Sequence, residues 1–147
     1  MTPDRHQADI AIVGAGIAGI ATAVEALARG RRVLLLDRDV EASLGGLACE
    51  AMGGLWFAGT PLQRRYRIQD SIELGYADWL SFGELGDDDE WPRAWARRYV
   101  ERCVPDVFEW LTGLGVRFMP MPMWVERGLH RQGNSVPRFH FVWGTGR

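Results

Sequence analysis

Residues 9–37 read DIAIVGAGIAGIATAVEALARGRRVLLLD, and this stretch decides the fold. Its short apolar run, Ile10–Val13, is typical of a strand buried on both faces and leads directly into a G-x-G-x-x-G turn. The first glycine of such a turn permits the sharp bend, the second lets phosphates approach the backbone, and the third lets the helix pack closely on the strand. We therefore predict a strand, a glycine turn, a helix and a second strand, in this order.

The residues after the turn complete a dinucleotide-binding unit. Apolar and small residues recur at helical spacing from Ile17 to Ala28, which predicts a helix whose N-terminus faces anionic phosphates. Val33–Leu36 predicts the second strand, and Asp37 follows 23 residues after Gly14, close to the spacing at which a carboxylate binds ribose hydroxyls. The carboxylate favours a plain over a phosphorylated ribose, although Arg38 beside it keeps that choice open. An ordinary βαβ turn without a nucleotide is the alternative.

The composition is that of a soluble globular protein. The chain has 147 residues, of which 47% are hydrophobic and 24% charged, and its formal net charge is −2. Acidic and basic residues are interspersed, so neither a nucleic-acid surface nor a polybasic membrane face is indicated. Cys49 and Cys103 lie far apart without Cys or His companions, so no metal site or disulfide framework is predicted. Because no signal sequence or membrane-spanning stretch is seen, we expect a cytoplasmic protein without a transmembrane segment.

Two glycine pairs, Gly45-Gly46 and Gly53-Gly54, follow the acid and lie eight residues apart. Taken alone, such pairs are equally typical of loops and of backbone that closely approaches a ligand. Together with the glycine turn and Asp37, they resemble the FAD-binding flavoproteins of the fumarate reductase, succinate dehydrogenase and 3-ketosteroid dehydrogenase family. The similarity is greatest to the ketosteroid-dehydrogenase-like members.

This resemblance implies FAD as the cofactor and a Rossmann-like α/β fold. It places the pyrophosphate and ribityl chain along the first glycine pair and the isoalloxazine near the second. The implied cofactor-binding residues are Gly14, Ala15, Gly16, Ile17, Ala18, Gly19, Asp37, Arg38, Gly45, Gly46, Leu47, Met52, Gly53 and Gly54. Catalytic residues stay unassigned, because relatives are expected to carry their acid, base and substrate-binding groups mostly in later segments of a longer chain.

Helices are predicted between residues 60 and 115. Thr60-Pro61-Leu62-Gln63 has the form of a capping box with proline at the first helical position, and Asp70-Ser71-Ile72-Glu73 is a second helix start. The helix that follows Trp91-Pro92 is expected to turn Trp95, Tyr99 and Cys103 inward and to kink or restart at Pro105.

Strands and turns are predicted in the last thirty or so residues. Residues 116–119 begin a strand that Pro120 ends or confines to a sheet edge. Alternation in residues 138–143 places three aromatic side chains on one face and Arg138 and His140 on the other. Arg138 and His140 either contact substrate or flavin, or form a structural pairing on the sheet.

The predicted class is α/β, with a parallel nucleotide-binding sheet followed by a mainly helical segment. Residues 1–147 are interpreted as the N-terminal part of a FAD-binding domain. Within it, residues 1–59 form the βαβ unit and glycine-pair loops, 60–115 the helical segment, and 116–147 strands and turns. By resemblance, the chain is an incomplete fragment that needs a missing C-terminal segment or a partner chain and is inactive alone.

The predicted activity is that of a FAD-dependent dehydrogenase that acts on a carbon–carbon bond next to a carbonyl. The resemblance suggests an apolar small-molecule substrate such as a 3-ketosteroid, with hydride passing to the flavin and a proton to a protein group. The alternatives are a noncatalytic dinucleotide-binding subunit and an NAD-dependent oxidoreductase. The paired glycines after Asp37 favour FAD over NAD.

Overall fold

The computed structural model describes residues 6–120, 123–128 and 130–144. These residues fall into two compact units, 6–52 and 53–144, and each unit holds one two-stranded sheet. None of the described helices combines the length and the apolar character needed to cross a membrane. The elements, in chain order, are β1 (Ile10–Val13), α1 (Ile17–Ala28), β2 (Val33–Leu36), two 3₁₀ turns (Glu41–Ser43 and Gly46–Cys49), β3 (Gly54–Trp56), α2 (Pro61–Arg65), α3 (Ile72–Phe82), α4 (Glu90–Arg102), a π-helical turn (Cys103–Phe108), α5 (Glu109–Gly113) and β4 (Phe139–Phe141).

The first unit is the βαβ arrangement that the sequence predicts. β1 and β2 pair in parallel, with Ile10 opposite Val33, and α1 connects them. The buried positions of α1 are the small residues Ala23 and Ala26. Larger apolar residues of the same helix, including Ile17, are exposed. This exposure has a simple cause, because only two strands pair within this unit and they leave most of the helix surface uncovered.

Both helix starts predicted in the second unit are present. The Thr60 hydroxyl accepts a hydrogen bond from the Gln63 amide, and Gln63 Oε1 accepts one from the Thr60 amide at 2.9 Å. This reciprocal pair is a capping box. Ser71 Oγ accepts from the Leu74 amide at 3.1 Å and so caps α3. Short polar side chains therefore fix where α2 and α3 begin.

The predicted kink at Pro105 takes the form of the π-helical turn between α4 and α5. Proline has no amide hydrogen and crowds the carbonyl four residues before it, and the wider turn accommodates both effects. Of the three residues predicted to face inward, Cys103 is buried and Tyr99 packs against the core. The prediction for Trp95 is wrong, because 74% of its surface is exposed. α4 instead buries Ala96 and Val100, which recur four residues apart and define a face that excludes Trp95.

The second sheet is smaller than predicted. β3 and β4 pair antiparallel, with Gly54 opposite Phe141. The strand predicted to begin at residue 116 is wrong in extent, since among the described residues it forms a single bridge, between Phe118 and Val142. Pro120 lacks an amide hydrogen and cannot extend this ladder.

Aromatic packing forms the apolar core of the second unit. Phe57, Cys103 and Phe108 are its most buried members. The Phe57 ring packs edge-to-face on Phe108, with centroids 5.6 Å apart, and on His140, with centroids 5.1 Å apart. The Tyr99 hydroxyl donates a hydrogen bond to the carbonyl of Trp56 at 2.8 Å. The core therefore joins the helices to β3 and β4 through rings that also carry polar groups.

Candidate functional site

The glycine turn between β1 and α1 has the backbone shape that the motif predicts. Gly14 has a φ of +99°, in the left-handed region that favours glycine, and its amide donates to the Leu36 carbonyl at 2.7 Å. A Cβ atom on Gly19 would lie 1.8 Å from the Gly14 carbonyl oxygen, so the helix contacts the turn at a distance that only glycine allows. At Gly16, by contrast, a Cβ atom would meet nothing within 4 Å. The space in front of Gly16 is therefore open.

The N-terminus of α1 is suited to bind an anion. Gly16 is the capping position, no side chain caps the helix, and no acidic residue lies in its first turn. The first-turn amides and the positive end of the helix dipole therefore favour a negatively charged group at this point. Open space in front of Gly16 and an uncapped helix end together provide what a phosphate needs.

Asp37 lies directly after β2 and is bonded to the glycine turn. Its Oδ2 accepts from the Ala15 amide at 2.5 Å, and its Oδ1 accepts from the Asp39 amide at 2.9 Å. These backbone hydrogen bonds, that from Ala15 first, lower the pKa of Asp37 below its usual value. The exposed carboxylate is therefore charged at neutral pH and can accept hydrogen bonds from ribose hydroxyls. Its second role, holding the glycine turn, was not evident from the sequence.

The first glycine pair lies against the same turn. Gly45 and Gly46 both have positive φ, +112° and +59°, which explains why glycine occupies both positions. The Gly45 amide donates to the Ala15 carbonyl at 3.0 Å. A Cβ atom on Gly46 would lie 3.4 Å from the Cα atom of Gly16. The structure thus brings the glycine turn, Asp37 and the first glycine pair together as one continuous backbone surface.

The remaining predicted contacts are placed differently. Arg38, Leu47 and Met52 are exposed, and Ile17 and Ala18 belong to the first turn of α1. Gly53 and Gly54 belong to the second unit. The Gly53 carbonyl accepts from the Val142 amide at 3.1 Å, and a Cβ atom on Gly54 would lie 3.2 Å from the Phe141 ring. Within the second unit, Gly54 therefore packs beneath aromatic side chains of β4, and Gly53 lies against Val142.

A buried ion-pair cluster lies in the second unit. Arg138 donates to both carboxylate oxygens of Asp70 at 2.9 and 2.8 Å, and to Asp78 at 2.5 Å. The Arg138 and Asp70 side chains have no exposed surface. Burial acts to lower the pKa of Arg138, but its hydrogen bonds to the two carboxylates outweigh burial and raise it. Arg138 Nη1 also donates to Asn134 Oδ1 at 2.9 Å.

His140 is buried beside this cluster and has a defined tautomer. The Arg138 carbonyl lies 2.8 Å from His140 Nδ1, so Nδ1 carries the proton and Nε2 accepts from the Thr60 hydroxyl at 2.8 Å. Burial lowers the pKa of His140 below its usual value, opposed in part by the bond to that carbonyl. The structure therefore supports the structural interpretation of Arg138 and His140, because both side chains are buried and bonded to protein groups.

Comparison with known proteins identifies the family. Residues 9–145 match the family described as FAD binding domain. The chain belongs to this family. FAD, rather than NAD, is therefore the cofactor of the domain, and the glycine turn with its open front and uncapped helix end fits a dinucleotide of this kind.

Relatives and solved structures agree with this membership. The chain is 45% identical over 145 residues to a KsdD-like steroid dehydrogenase of Mycolicibacterium smegmatis. This alignment covers 95% of this chain and 26% of the relative. It superposes on 3-ketosteroid-Δ4-(5α)-dehydrogenase of Rhodococcus jostii RHA1 with a TM-score of 0.70 at 27% identity, covering 99% of this chain and 33% of that one. A flavocytochrome c3 fumarate reductase gives a TM-score of 0.72 at 26% identity, with coverage of 93% and 22%. The chain thus spans about a quarter of the length of the curated relatives it matches.

Proposed function

We propose that this chain supplies the part of a flavoenzyme that holds the ADP half of FAD. The observation that carries the proposal is the surface formed by the glycine turn, Asp37 and Gly45-Gly46, in which hydrogen bonds of 2.5 and 3.0 Å meet at Ala15. The pyrophosphate lies at the N-terminus of α1, in the open space before Gly16, and Asp37 accepts the ribose hydroxyls. In this proposal β1 and β2 are neighbouring strands of a Rossmann-like sheet.

The other predicted contacts are proposed for each unit separately. Backbone groups of Gly46 and Leu47 follow the ribityl chain, and Met52 to Gly54 lie near the isoalloxazine. At Leu47 and Met52, whose side chains are exposed, the proposed contact is through the backbone. Arg38 lies beside the ribose-binding carboxylate.

We infer that the reaction is dehydrogenation or reduction of a carbon–carbon bond next to a carbonyl, in an apolar substrate of the 3-ketosteroid class. The inference is supported by relatives described as a steroid dehydrogenase and by a superposed structure of a 3-ketosteroid dehydrogenase. Bound FAD supplies hydride transfer. The described residues contribute binding and orientation, through anion contacts at α1 and the charged Asp37.

The test is FAD binding by the Gly16→Val variant, measured by isothermal calorimetry. A Cβ atom at position 16 meets nothing within 4 Å, and Gly16 has an ordinary φ of −74°, so the fold should persist. The isopropyl group fills the proposed phosphate position, and affinity should fall by at least about a hundredfold.

Gly113→Val is the matched control, because a Cβ atom on Gly113 also meets nothing within 4 Å and Gly113 lies at the end of α5. This variant should bind FAD as the wild type does. ADP alone should show the same pattern, since the proposed contacts are to its half of the cofactor. Equal FAD affinity in Gly16→Val and wild type would refute the site.

A further inference from the structure

α4 exposes two tryptophans on one face. Trp91 and Trp95 lie one turn apart and expose 71% and 74% of their surfaces. Arg98 follows Trp91 by seven residues and so continues the same face, and Ala94 is an exposed small residue between them. We call Trp91, Ala94, Trp95 and Arg98 the α4 stripe. Tryptophan and arginine are the residues most enriched at the energetic centres of protein interfaces.

The charges at the two ends of the stripe have opposite signs. Its N-terminal end is acidic, with Asp87, Asp88, Asp89 and Glu90 in succession. Two of these acids have contacts inside the chain. Asp87 Oδ1 lies 3.6 Å from Arg93 Nη1, and Asp89 Oδ2 accepts a hydrogen bond from the Gly86 amide at 2.8 Å. Asp88 and Glu90 are exposed.

The C-terminal end of the stripe is basic. Arg97 is bonded to Glu101 within α4 at 2.6 Å, and Arg102 is bonded to Asp106 of the π-helical turn at 2.7 Å, so both arginines are paired within the chain. Arg98 is exposed and lies on the tryptophan face. Exposed acids therefore precede the stripe, and the stripe itself runs through two tryptophan side chains to an exposed guanidinium.

We propose that the α4 stripe is the contact surface of a symmetric dimer, in which α4 packs antiparallel against α4 of a second copy of this chain. A two-fold axis at residue 93 places Trp91 of one copy opposite Trp95 of the other, because 93 is the midpoint of that pair. In the sequence, residue 93 is also midway between Arg98 and Asp88, which lies in the turn two residues before α4 begins. One axis therefore satisfies both the aromatic and the charged contacts, as an interface between identical surfaces requires.

The charge pattern selects a second copy over other partners. An anionic lipid surface or a nucleic acid would attract Arg98 but would be repelled by the four consecutive acids beside Trp91. α4 has 13 residues and is therefore about 20 Å long. One face of such a helix covers less than the roughly 800 Å² per partner of a standard interface. The dimer is accordingly weak and its population depends on protein concentration.

The test is sedimentation velocity of the 147-residue polypeptide over a range of concentrations at low salt. Wild type should shift from monomer to dimer as concentration rises. Arg98→Glu and Asp88→Arg should each weaken dimerisation at least tenfold, since each variant places like charges opposite one another in both symmetry-related contacts. An equimolar mixture of the two variants should dimerise again, because every contact in the mixed dimer then joins opposite charges.

Arg31→Glu, an exposed charge reversal in the other unit, is the control and should leave dimerisation unchanged. Trp95→Ala should weaken it without changing the circular dichroism spectrum, because the side chain is mostly exposed. A wild type that is monomeric at every concentration would overturn the proposal, and so would a dimer that the mixed variants fail to restore. If the monomer sediments with phosphatidylserine vesicles and the Trp95→Ala variant does not, the dimer proposal is overturned in favour of a lipid surface.

Discussion

Replacement of Arg138 by methionine should strongly destabilise the second unit. Methionine keeps most of the side-chain volume but removes the guanidinium that donates to Asp70 at 2.9 and 2.8 Å and to Asp78 at 2.5 Å. Two carboxylates, with 0% and 9% of their side-chain surface exposed, then lose their cationic partner. Breaking a buried pair in this way costs roughly 3–5 kcal/mol. Because whole domains are stable by about 5–15 kcal/mol, this is a large fraction of the total.

Urea unfolding at neutral pH, followed by tryptophan fluorescence, measures the loss. Arg131→Met is the matched control, because Arg131 lies 3.5 Å from Glu84 in a pair whose side chains are 66% and 58% exposed. An exposed pair of this kind contributes at most about 1 kcal/mol. In the double variant Asp70→Asn with Arg138→Met, the two losses should not add, since they remove the same contact. A loss in Arg138→Met as small as that in Arg131→Met would refute the assignment of this cluster as a structural centre.

Three further predictions concern cofactor, pH and turnover. Asp37→Ala should weaken FAD binding by about tenfold to a hundredfold, because it removes the proposed ribose acceptor and a hydrogen bond that holds the turn. Asp37→Asn should lose less FAD affinity, and unchanged calorimetric affinity in both variants would remove Asp37 from the site. Because the pKa of His140 is lower in the folded than in the unfolded state, the unfolded chain binds the proton at higher pH, and the free energy of unfolding should fall as pH drops below about 6.5. His140→Gln should flatten this pH dependence in urea titrations between about pH 7.5 and 5.5. The FAD-loaded 147-residue polypeptide should show no turnover of 3-ketosteroids with an artificial electron acceptor, since Leu47 and Trp143 are exposed and water is not excluded from such surfaces. Steady turnover would contradict this and would make the exposed Tyr66 the first candidate for the acid or base.

The βαβ unit was predictable because each of its requirements is local. The turn needs glycine where φ is positive at Gly14 and where α1 contacts the turn at Gly19, and both needs are written within six residues. The same holds for the caps at Thr60 and Ser71, whose side chains bond three residues along the chain. Asp37 was predictable as an acid at the right spacing. Its bond to the Ala15 amide depends on how two strands meet in space.

The burial of Arg138 and His140 could not be predicted from the alternation of residues at β4. A period of two shows that Arg138 and His140 share a face, but it does not show which face is buried. The usual expectation places the aromatic face inward. Here Asp70 and Asp78 lie 68 and 60 residues before Arg138 in the sequence, and only tertiary structure reveals that they neutralise it inside the unit. Trp95 is the converse case, since Ala96 and Val100 rather than the largest side chain define the buried face of α4.

The position of Arg138 in the chain has a consequence for how the protein is made. Chains are synthesised from the N-terminus, at about 5–20 residues per second, and segments begin to fold as they emerge. Helices α2 to α5 are complete by residue 113, but Asp70 and Asp78 have no guanidinium between them until residue 138 has been added. Because contacts across such separations form after local ones, closure of this unit is a late event in biosynthesis. Until residue 138 has been added, the carboxylates of Asp70 and Asp78 are exposed to water, whereas in the folded unit they are buried.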